Sequence, residues 1–378
     1  MSASLEPRLD GGAVESKDMT SGAPVTRVYA LDAARGLLMV LGILLHASSI
    51  YVTRGAWLIS DPDQSVLFDL IRAAIHSFRM PAFFWVAGYF AALTFVRRGP
   101  RALLTARLRR VGIPLLSTLL TLNVVQALWL GRSESGDLLA RIWAHLHIGH
   151  LWFLADLLVY VGLLVVSLNW LRRSVVARWL RRLPGPWSLV VVLALVNGSA
   201  LLVVHATGVA YVEVLGISSL DRLTHNFVFF LAGAAMFLEP RVRVAFFRVP
   251  SWVFLIVVPV CVLLDPHLLA PGRLESEAST LLYLLGSWLA VAALLGGFWR
   301  VVQGDSRIAS FLVDASLSIY LFHHLVVIVL GSLLTGVNLP VLIKFALVAG
   351  ATLVITAALH SLVVRRFSVI RLLFNGRR

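Results

Sequence analysis

Apolar blocks of roughly 20 residues recur along almost the whole chain, and this feature constrains its fold more than any other. Each block is long enough to cross, as a helix, a hydrocarbon core about 30 Å thick. Hydrophobic residues make up 59% of the 378 residues and charged residues 14%, a composition outside the range of soluble domains. Because a helix in lipid satisfies its own backbone hydrogen bonds, the sequence predicts an all-α integral membrane protein that forms a single helical bundle.

About ten transmembrane helices are predicted. They cover residues 29–51, 66–96, 111–131, 151–170, 187–206, 223–239, 251–266, 279–299, 311–334 and 339–364. Residues 1–27 are polar and predict a disordered cytoplasmic tail rather than a cleaved signal peptide. The transmembrane domain is predicted over 28–366, and a basic cytoplasmic tail over 367–378.

The basic residues follow the predicted topology. They concentrate in alternate connections, at 97–110, 171–182, 239–248, 299–307 and the tail from Arg365. The opposite connections hold only Arg54, Arg132, Arg141, Arg222 and Arg273. Positive charge accumulates on the cytoplasmic side, so both termini are predicted to be cytoplasmic. The net charge of +14 therefore indicates topology and not a nucleic-acid partner, and the single cysteine, Cys261, excludes an intramolecular disulfide.

The first predicted span contains two ionisable side chains, Arg35 and His46, in the stretch RGLLMVLGILLH. Such residues usually face the bundle interior or a water-filled cavity. Eleven residues of helix place both on one face, about 16 Å apart along the axis. Arg35 can pair with Asp32 or extend to lipid headgroups. His46 lies deeper and is suited to act as a general base.

Two further segments place basic residues near these two levels. In HSFRMPAFFWVAGYF, His76 and Arg79 are one turn apart, and they reach roughly the level of His46 because span two runs antiparallel to span one. In ARLRRVGIPLL, Arg107 and Arg110 are one turn apart at the cytoplasmic start of span three. Paired arginines suit phosphate binding, although topology alone also accounts for basic residues there.

Polar residues also concentrate in spans four and nine. HLHIGHLWFLADLLVY places His145, His147 and His150 at the outer start of span four, with Asp156 further in. Their spacing is not a metal signature, and no metal site is predicted. The polar side chains of VDASLSIYLFHH in span nine are Asp314, Ser316, Ser318, Tyr320, His323 and His324. This density favours a face that lines a cavity, although serines also bond helices together.

In sequence and order these motifs resemble the membrane-bound acyltransferase type 3 family. The opening RVYALDAARGLLMVLGILLHASSIY is similar to the first span of that family, in which ten residues separate an arginine from a histidine. The segments HSFRMPAFFWVAGYF, ARLRRVGIPLL, GHLWFLADLLVY and VDASLSIYLFHH follow in the expected order. The resemblance covers about residues 27–366. Within the motifs, the amino-acid sequence is similar to that of the branch of the family that succinylates osmoregulated periplasmic glucans.

The resemblance implies an enzyme that transfers acyl groups other than aminoacyl groups. It implies that His46 is the catalytic histidine, that Arg35 supports it or the donor, and that Arg107 and Arg110 handle the acyl donor. The other candidate residues are Arg79, Asp314 and His323 for catalysis, and His76, His150 and Trp152 for substrate binding.

The resulting hypothesis is transfer of a succinyl or acetyl group from cytoplasmic acyl-CoA to a hydroxyl of an extracytoplasmic glycan, across the inner membrane. Acyl-CoA is a co-substrate, and no permanently bound cofactor is expected. His46 removes the hydroxyl proton or forms a covalent acyl-histidine, and both mechanisms stay open. Arg79 or a donor in span nine stabilises the oxyanion, and Arg79 is the candidate to bind the carboxylate of a succinyl group.

Two alternatives remain open at this point. One is a proton-coupled transporter with a relay of His46, Asp156 and Asp314. The other is an acyltransferase that acts on a cytoplasmic small molecule. The sequence leaves the oligomeric state open, a homo-oligomer included.

Overall fold

The computed structural model describes residues 28–55, 57–135, 137–173, 185–214, 216–265, 268, 277–304 and 306–377. Within these residues, the helical stretches that are long and apolar enough to cross a membrane are Tyr29–Ser48, Val66–Ser133, Gly149–Ser167, Pro186–Ala206, Ala278–Val301, Arg307–Leu334 and Val341–Val364. A shorter apolar helix covers Val253–Leu263. The predicted all-α membrane fold is confirmed, and the chain is a multi-pass membrane protein. The count of ten spans and the cytoplasmic position of the termini stay predictions.

The α-helices are numbered in chain order. They are α1 (Tyr29–Ser48), α2 (Val66–Arg107), α3 (Ile113–Leu120), α4 (Leu122–Leu130), α5 (Leu138–His145), α6 (Trp152–Arg173), α7 (Pro186–Ala206), α8 (Leu220–Leu238), α9 (Pro240–Phe247), α10 (Val253–Leu263), α11 (Glu277–Val301), α12 (Arg307–Leu334), α13 (Val341–Leu359) and α14 (Ser368–Asn375). Single turns of π-helix occupy Leu108–Gly112 and His360–Val364, and 3₁₀ turns occupy Gly131–Ser133 and Gly149–Leu151. Strands β1 (Glu213–Val214) and β2 (Ser218–Ser219) pair antiparallel, with Glu213 opposite Ser219.

Helix α2 is longer than the predicted second span. The prediction ends that span at residue 96, but the helix continues to Arg107 across a kink at Gly99. The segment RALLTAR that follows Pro100 consists mostly of strong helix formers, and proline is well tolerated where a helix restarts. Part of the predicted connection 97–110 is therefore helical.

Helices α2 and α8 cross at a pair of glycines. A Cβ on Gly88 would lie 1.9 Å from the carbonyl oxygen of Phe230, and one on Gly233 would lie 1.9 Å from that of Trp85. The two backbones therefore touch, which is typical of helix packing in membranes, where small residues permit close approach. This contact fixes α2 in the bundle, and α2 in turn presents Arg79 to α1.

Helix α1 runs antiparallel to α2. The Nε of Arg79 donates a hydrogen bond to the carbonyl oxygen of Leu38 at 2.8 Å, while the guanidinium of Arg35 lies 5.8 Å from the ring of Phe90, further along α2. The predicted antiparallel arrangement of the first two spans is thus present. It brings Arg79 to the half of α1 that carries His46.

Helix α12 runs parallel to α1. A Cβ on Gly36 would lie 3.0 Å from the Cβ of Leu312, and the rings of His46 and His323 are 5.2 Å apart. The start of each helix therefore lies beside the start of the other. We call the end of the bundle near Arg35 the arginine end, and the end near His46 the histidine end.

The predicted C-terminal tail 367–378 contains helix α14, which packs against the arginine end. Ser117 donates a hydrogen bond to the carbonyl oxygen of Leu373 at 2.5 Å, and Asn375 donates one to that of Asp314 at 3.3 Å. The predicted N-terminal tail, 1–27, lies outside the described residues.

Candidate active site

Four histidines meet at the histidine end, and we call them the histidine cluster: His46, His150, His323 and His324. The ring of His46 lies 5.2 Å from that of His323 and 5.0 Å from that of His324. The ring of His150 stacks on that of His324 at 4.3 Å. Helices α1 and α12 and the 3₁₀ turn before α6 contribute these side chains. Three motifs that are far apart in the sequence therefore form one site.

Two members of the cluster are oriented by hydrogen bonds at one ring nitrogen. His323 Nδ1 donates to the carbonyl oxygen of Tyr320 at 2.6 Å, and His324 Nδ1 donates to Gln126 Oε1 at 2.7 Å. Since the carbonyl oxygens only accept, Nδ1 carries the proton in each ring, and Nε2 of the neutral ring is an acceptor. Tyr320 itself donates to the carbonyl oxygen of His150. These hydrogen bonds fix the tautomers of His323 and His324, and Tyr320 fixes the backbone of His150.

Other ring nitrogens of the cluster have no hydrogen-bond partner among the described residues. They are buried, and they comprise His46 Nδ1, both ring nitrogens of His150 and His323 Nε2. Buried polar atoms are nearly always paired, so a group of exceptions in one place indicates a ligand site.

The cluster borders a cavity of about 460 Å³. Its lining consists of His46, Trp57, Leu58, His147, Gly149, His150, Trp152 and His324. This volume is in the range of small-molecule sites, about 300–1,000 Å³. The cavity combines aromatic surface with imidazole nitrogens, which suits a ligand that has both apolar faces and hydroxyl groups.

Arg79 lies beside the cluster and is buried, with an exposed fraction of 6%. Its guanidinium packs directly on Gly42, one turn before His46, because a Cβ on that glycine would lie 2.4 Å from Arg79 Nη2. Its charge acts on both His46 and His323. No carboxylate lies within ion-pair distance of it in the described parts of the chain. A buried cation without an anionic neighbour suits stabilisation of negative charge on a substrate.

The loop between α1 and α2 carries Trp57 over the cluster. The indole stacks on His46 at 5.8 Å and contacts His324 edge to face at 5.6 Å. A fully buried ion pair holds the loop to α13, since Lys344 Nζ lies 3.0 Å from Asp61 Oδ1. The exposed carboxylate of Asp63 adds a second contact to Lys344 at 2.8 Å. The position of the indole is therefore fixed by contacts outside the cavity.

A second polar network borders the cavity at Trp152. Ser218 donates to Asp156 Oδ2 at 2.9 Å, and Arg222 Nε donates to Ser218 Oγ at 3.2 Å. The Arg222 guanidinium lies 4.7 Å from the Trp152 ring. Strand β2 thus links the buried Asp156 to the wall of the cavity.

The arginine end gathers the predicted donor-binding residues. Arg35 forms an ion pair with Asp32 at 3.4 Å, and Arg107 lies within electrostatic range of both Arg35 and Arg110. Arg377, which follows α14, acts on Arg110 in the same way. Because α1 is one uninterrupted helix, Arg35 is about 16 Å along its axis from His46. The two groups of predicted residues are therefore at opposite ends of one helix.

Two predicted site residues lie apart from the histidine cluster. Asp314 is at the arginine end, where it pairs with Arg377 and with His360 Nε2 at 3.2 Å. It precedes His323 by nine residues, which is about 13 Å of helix. His76 is exposed, whereas Arg79, one turn later on α2, is buried. Among the described residues, no group of three or more histidine, cysteine or acidic side chains could hold a metal ion.

Sequence reasoning missed several residues of the site. The sequence motifs do not single out Trp57, and they place His324 on a cavity-lining face without a role of its own. Gln126 and Gly42 carry no sequence signal, because their importance depends on neighbours from other helices. Trp57 could have been found from its position in the sequence, because it follows closely the end of the span that carries His46.

The sequence is similar to a known protein family and to individual proteins. Residues 28–361 match the acyltransferase domain of the acyltransferase 3 family. The chain is 29% identical to glucans biosynthesis protein C of Escherichia coli O157:H7 over 334 residues, which is 82% of this chain and 85% of that protein. It is 28% identical to the protein of that name from Escherichia coli O1:K1 over 330 residues, with the same coverage of both chains. No solved structure matches the chain.

The family match spans nearly the whole membrane bundle, and it includes every helix that contributes to the histidine cluster and to Arg79. The resemblance predicted from the motifs is confirmed. This chain belongs to the acyltransferase 3 family and is a membrane acyltransferase.

Proposed function

We propose that the protein transfers an acyl group from cytoplasmic acyl-CoA to a hydroxyl of an extracytoplasmic glycan. The observation that carries this proposal is the separation of two sites along α1, with arginines at one end and the histidine cluster at the other. The similarity to proteins named for glucan biosynthesis supports a glycan acceptor. The basic connections predict that the arginine end faces the cytoplasm of the inner membrane.

The arginine end is suited to the phosphates of CoA. Arg107 precedes a π-helical turn and Arg110 lies within it, a feature that often marks functional sites. Arg35 lies within electrostatic range of Arg107, and Arg377 within range of Arg110. From there a pantetheine arm extends towards His46, parallel to α1. Neither the nucleotide nor the glycan then has to cross the bilayer.

The chemistry takes place at the histidine end. His46 accepts the proton of the acceptor hydroxyl as its oxygen attacks the thioester carbonyl. The new C–O bond forms, the C–S bond breaks, and the proton passes to the departing thiolate. Arg79 stabilises the oxyanion formed between these steps. If the group is succinyl, its free carboxylate is a second negative charge that Arg79 is placed to bind.

A direct assay tests the proposal. Purified protein in nanodiscs is incubated with acetyl-CoA or succinyl-CoA, a thiol reagent and a linear β-glucan oligosaccharide, and the oligosaccharide is examined by mass spectrometry. We expect acceptor-dependent release of free CoA and a mass increase of the acyl group. CoA release that does not depend on the glucan, or an oligosaccharide whose mass does not increase, would contradict the acceptor assignment.

The transporter alternative gains no support from the geometry. Asp314 is already paired with Arg377 and His360, and Asp156 accepts a hydrogen bond from Ser218. These two carboxylates therefore serve local networks rather than a continuous chain with His46. Accumulation of substrate in liposomes without acyl-CoA would restore that alternative.

Replacing Arg107 or Arg110 with glutamine is expected to weaken donor binding selectively. Losing one charged contact to phosphate should raise the KM for acyl-CoA about tenfold. The KM for acyl-pantetheine, which lacks the nucleotide, should change less than twofold. Arg101→Gln, at an exposed position on the same helix, is the matched control. Equal effects on both donors would argue against phosphate binding by this pair.

A further inference from the structure

The histidine-end cavity has two indoles in its wall, and only one of them comes from a transmembrane helix. Trp152 begins α6, whereas Trp57 comes from the loop between α1 and α2. Both border the cavity alongside His150, whose two ring nitrogens are buried without a hydrogen-bond partner among the described residues. The wall therefore offers flat aromatic surface next to unused hydrogen-bonding atoms.

A sugar ring matches this combination. The C–H groups of a pyranose form an apolar face with slight positive charge, and the face of an indole is correspondingly negative. Its hydroxyl groups donate and accept hydrogen bonds, as the free nitrogens of His150 require. An acyl chain alone would leave those nitrogens unpaired.

The loop that carries Trp57 is anchored on both sides of the indole. Before it, the backbone N–H and the hydroxyl of Thr53 donate to Asp69 Oδ2 at 2.9 and 2.8 Å. After it, the Asp61 carboxylate is held by the buried Lys344 at 3.0 Å. A buried ion pair therefore fixes the position of the loop that carries Trp57.

We propose that Trp57 forms the acceptor-sugar subsite together with Trp152 and His150, and that Lys344 is the positioning residue for Trp57 through Asp61. This inference rests on the proposed function and assigns the acceptor-binding part of that site. It makes Trp57 a residue that binds the acceptor sugar. The acceptor hydroxyl then approaches His46, on which the indole stacks.

The test measures glucan binding and transfer separately. Binding of a linear β-glucan oligosaccharide to the protein in nanodiscs is followed by saturation-transfer NMR without acyl-CoA, and transfer kinetics are measured with both substrates varied. Trp57→Ala should raise the Kd and the KM for the glucan by about tenfold or more, with the KM for acyl-CoA changed less than twofold. Trp57→Phe should recover most of the affinity. Trp252→Ala, at an exposed tryptophan of another loop, is the matched control.

Lys344→Met should also raise the Kd and the KM for the glucan while leaving the KM for acyl-CoA nearly unchanged. The substitution releases the loop without changing a residue that lines the cavity. If that variant does not fold, Asp63→Ala, which removes only the more exposed partner, replaces it. A glucan Kd within twofold of wild type in Trp57→Ala would overturn the inference, as would a wild-type protein that does not bind the glucan. If wild type binds the glucan through Trp57 but transfers no acyl group, the inference holds and the proposed function fails.

Discussion

Replacing His46 with alanine is expected to reduce acyl transfer by about 10²–10⁴-fold, the usual contribution of a general base. His46 is the member of the histidine cluster that contacts His323, His324 and Trp57 at once, and it lines the cavity. Transfer is measured as acceptor-dependent CoA release. Folding is checked by monodisperse elution and by an unchanged helical circular dichroism spectrum.

His205→Ala is the matched control, since His205 is exposed at the end of α7. It should retain wild-type transfer. Transfer by His46→Ala within tenfold of wild type would move the base to another member of the cluster. His323 would then be the first to examine, because its Nε2 has no hydrogen-bond partner among the described residues and its Nδ1 is fixed by Tyr320.

Replacing Arg79 with lysine should lower transfer by about 10²–10³-fold, as expected when a donor to the developing oxyanion is lost. A lysine retains the charge but lacks the Nε that donates a hydrogen bond to the carbonyl oxygen of Leu38. It also lacks the two terminal guanidinium nitrogens, which can donate to a substrate at the same time. The loss should appear in kcat, with little change in the KM for acyl-CoA. An unchanged kcat would exclude Arg79 from the transition state.

Gly42→Ala tests the same arrangement without changing any charged group. The added methyl would lie 2.4 Å from Arg79 Nη2 and 3.0 Å from its Cζ, so the guanidinium must move away from α1. We expect at least about a tenfold loss of kcat, because oxyanion stabilisation depends on preorganised geometry. Gly162→Ala is the control, since a Cβ there meets no atom within 4 Å. Equal activity of the two variants would show that the position of Arg79 is not critical.

The apolar blocks were sufficient to predict an all-α membrane bundle but not its details. Apolar blocks predicted the helices well because lipid leaves the backbone few alternatives. The extension of α2 to Arg107 was missed because arginines were interpreted as marks of a connection, although arginine is a good helix former. Charge pattern reports the side of the membrane and not where a helix ends.

The motifs identified much of the candidate site, but not how its members are grouped. His46, His150 and His323 converge, as the motif order implied. The polar residues of VDASLSIYLFHH, however, divide between the two ends, because one helix of that length is longer than a single cavity. Asp314 is therefore with Arg377, whereas His323 is with His46. Tertiary partners such as Gln126 and Gly42 could not be read from local pattern.

Helix α14 has a consequence for biogenesis. Gly376, in a left-handed conformation, abuts the backbone of Arg109 and Arg110, and Arg377 binds Asp314. The arginine end thus combines the start of α1 with residues made more than 300 positions later. The histidine cluster, Arg79, Trp57 and Lys344 all precede α14 in the sequence. Because residues 368–377 follow all the other described helices in the sequence, the arginine end is completed only once nearly the whole chain has been made.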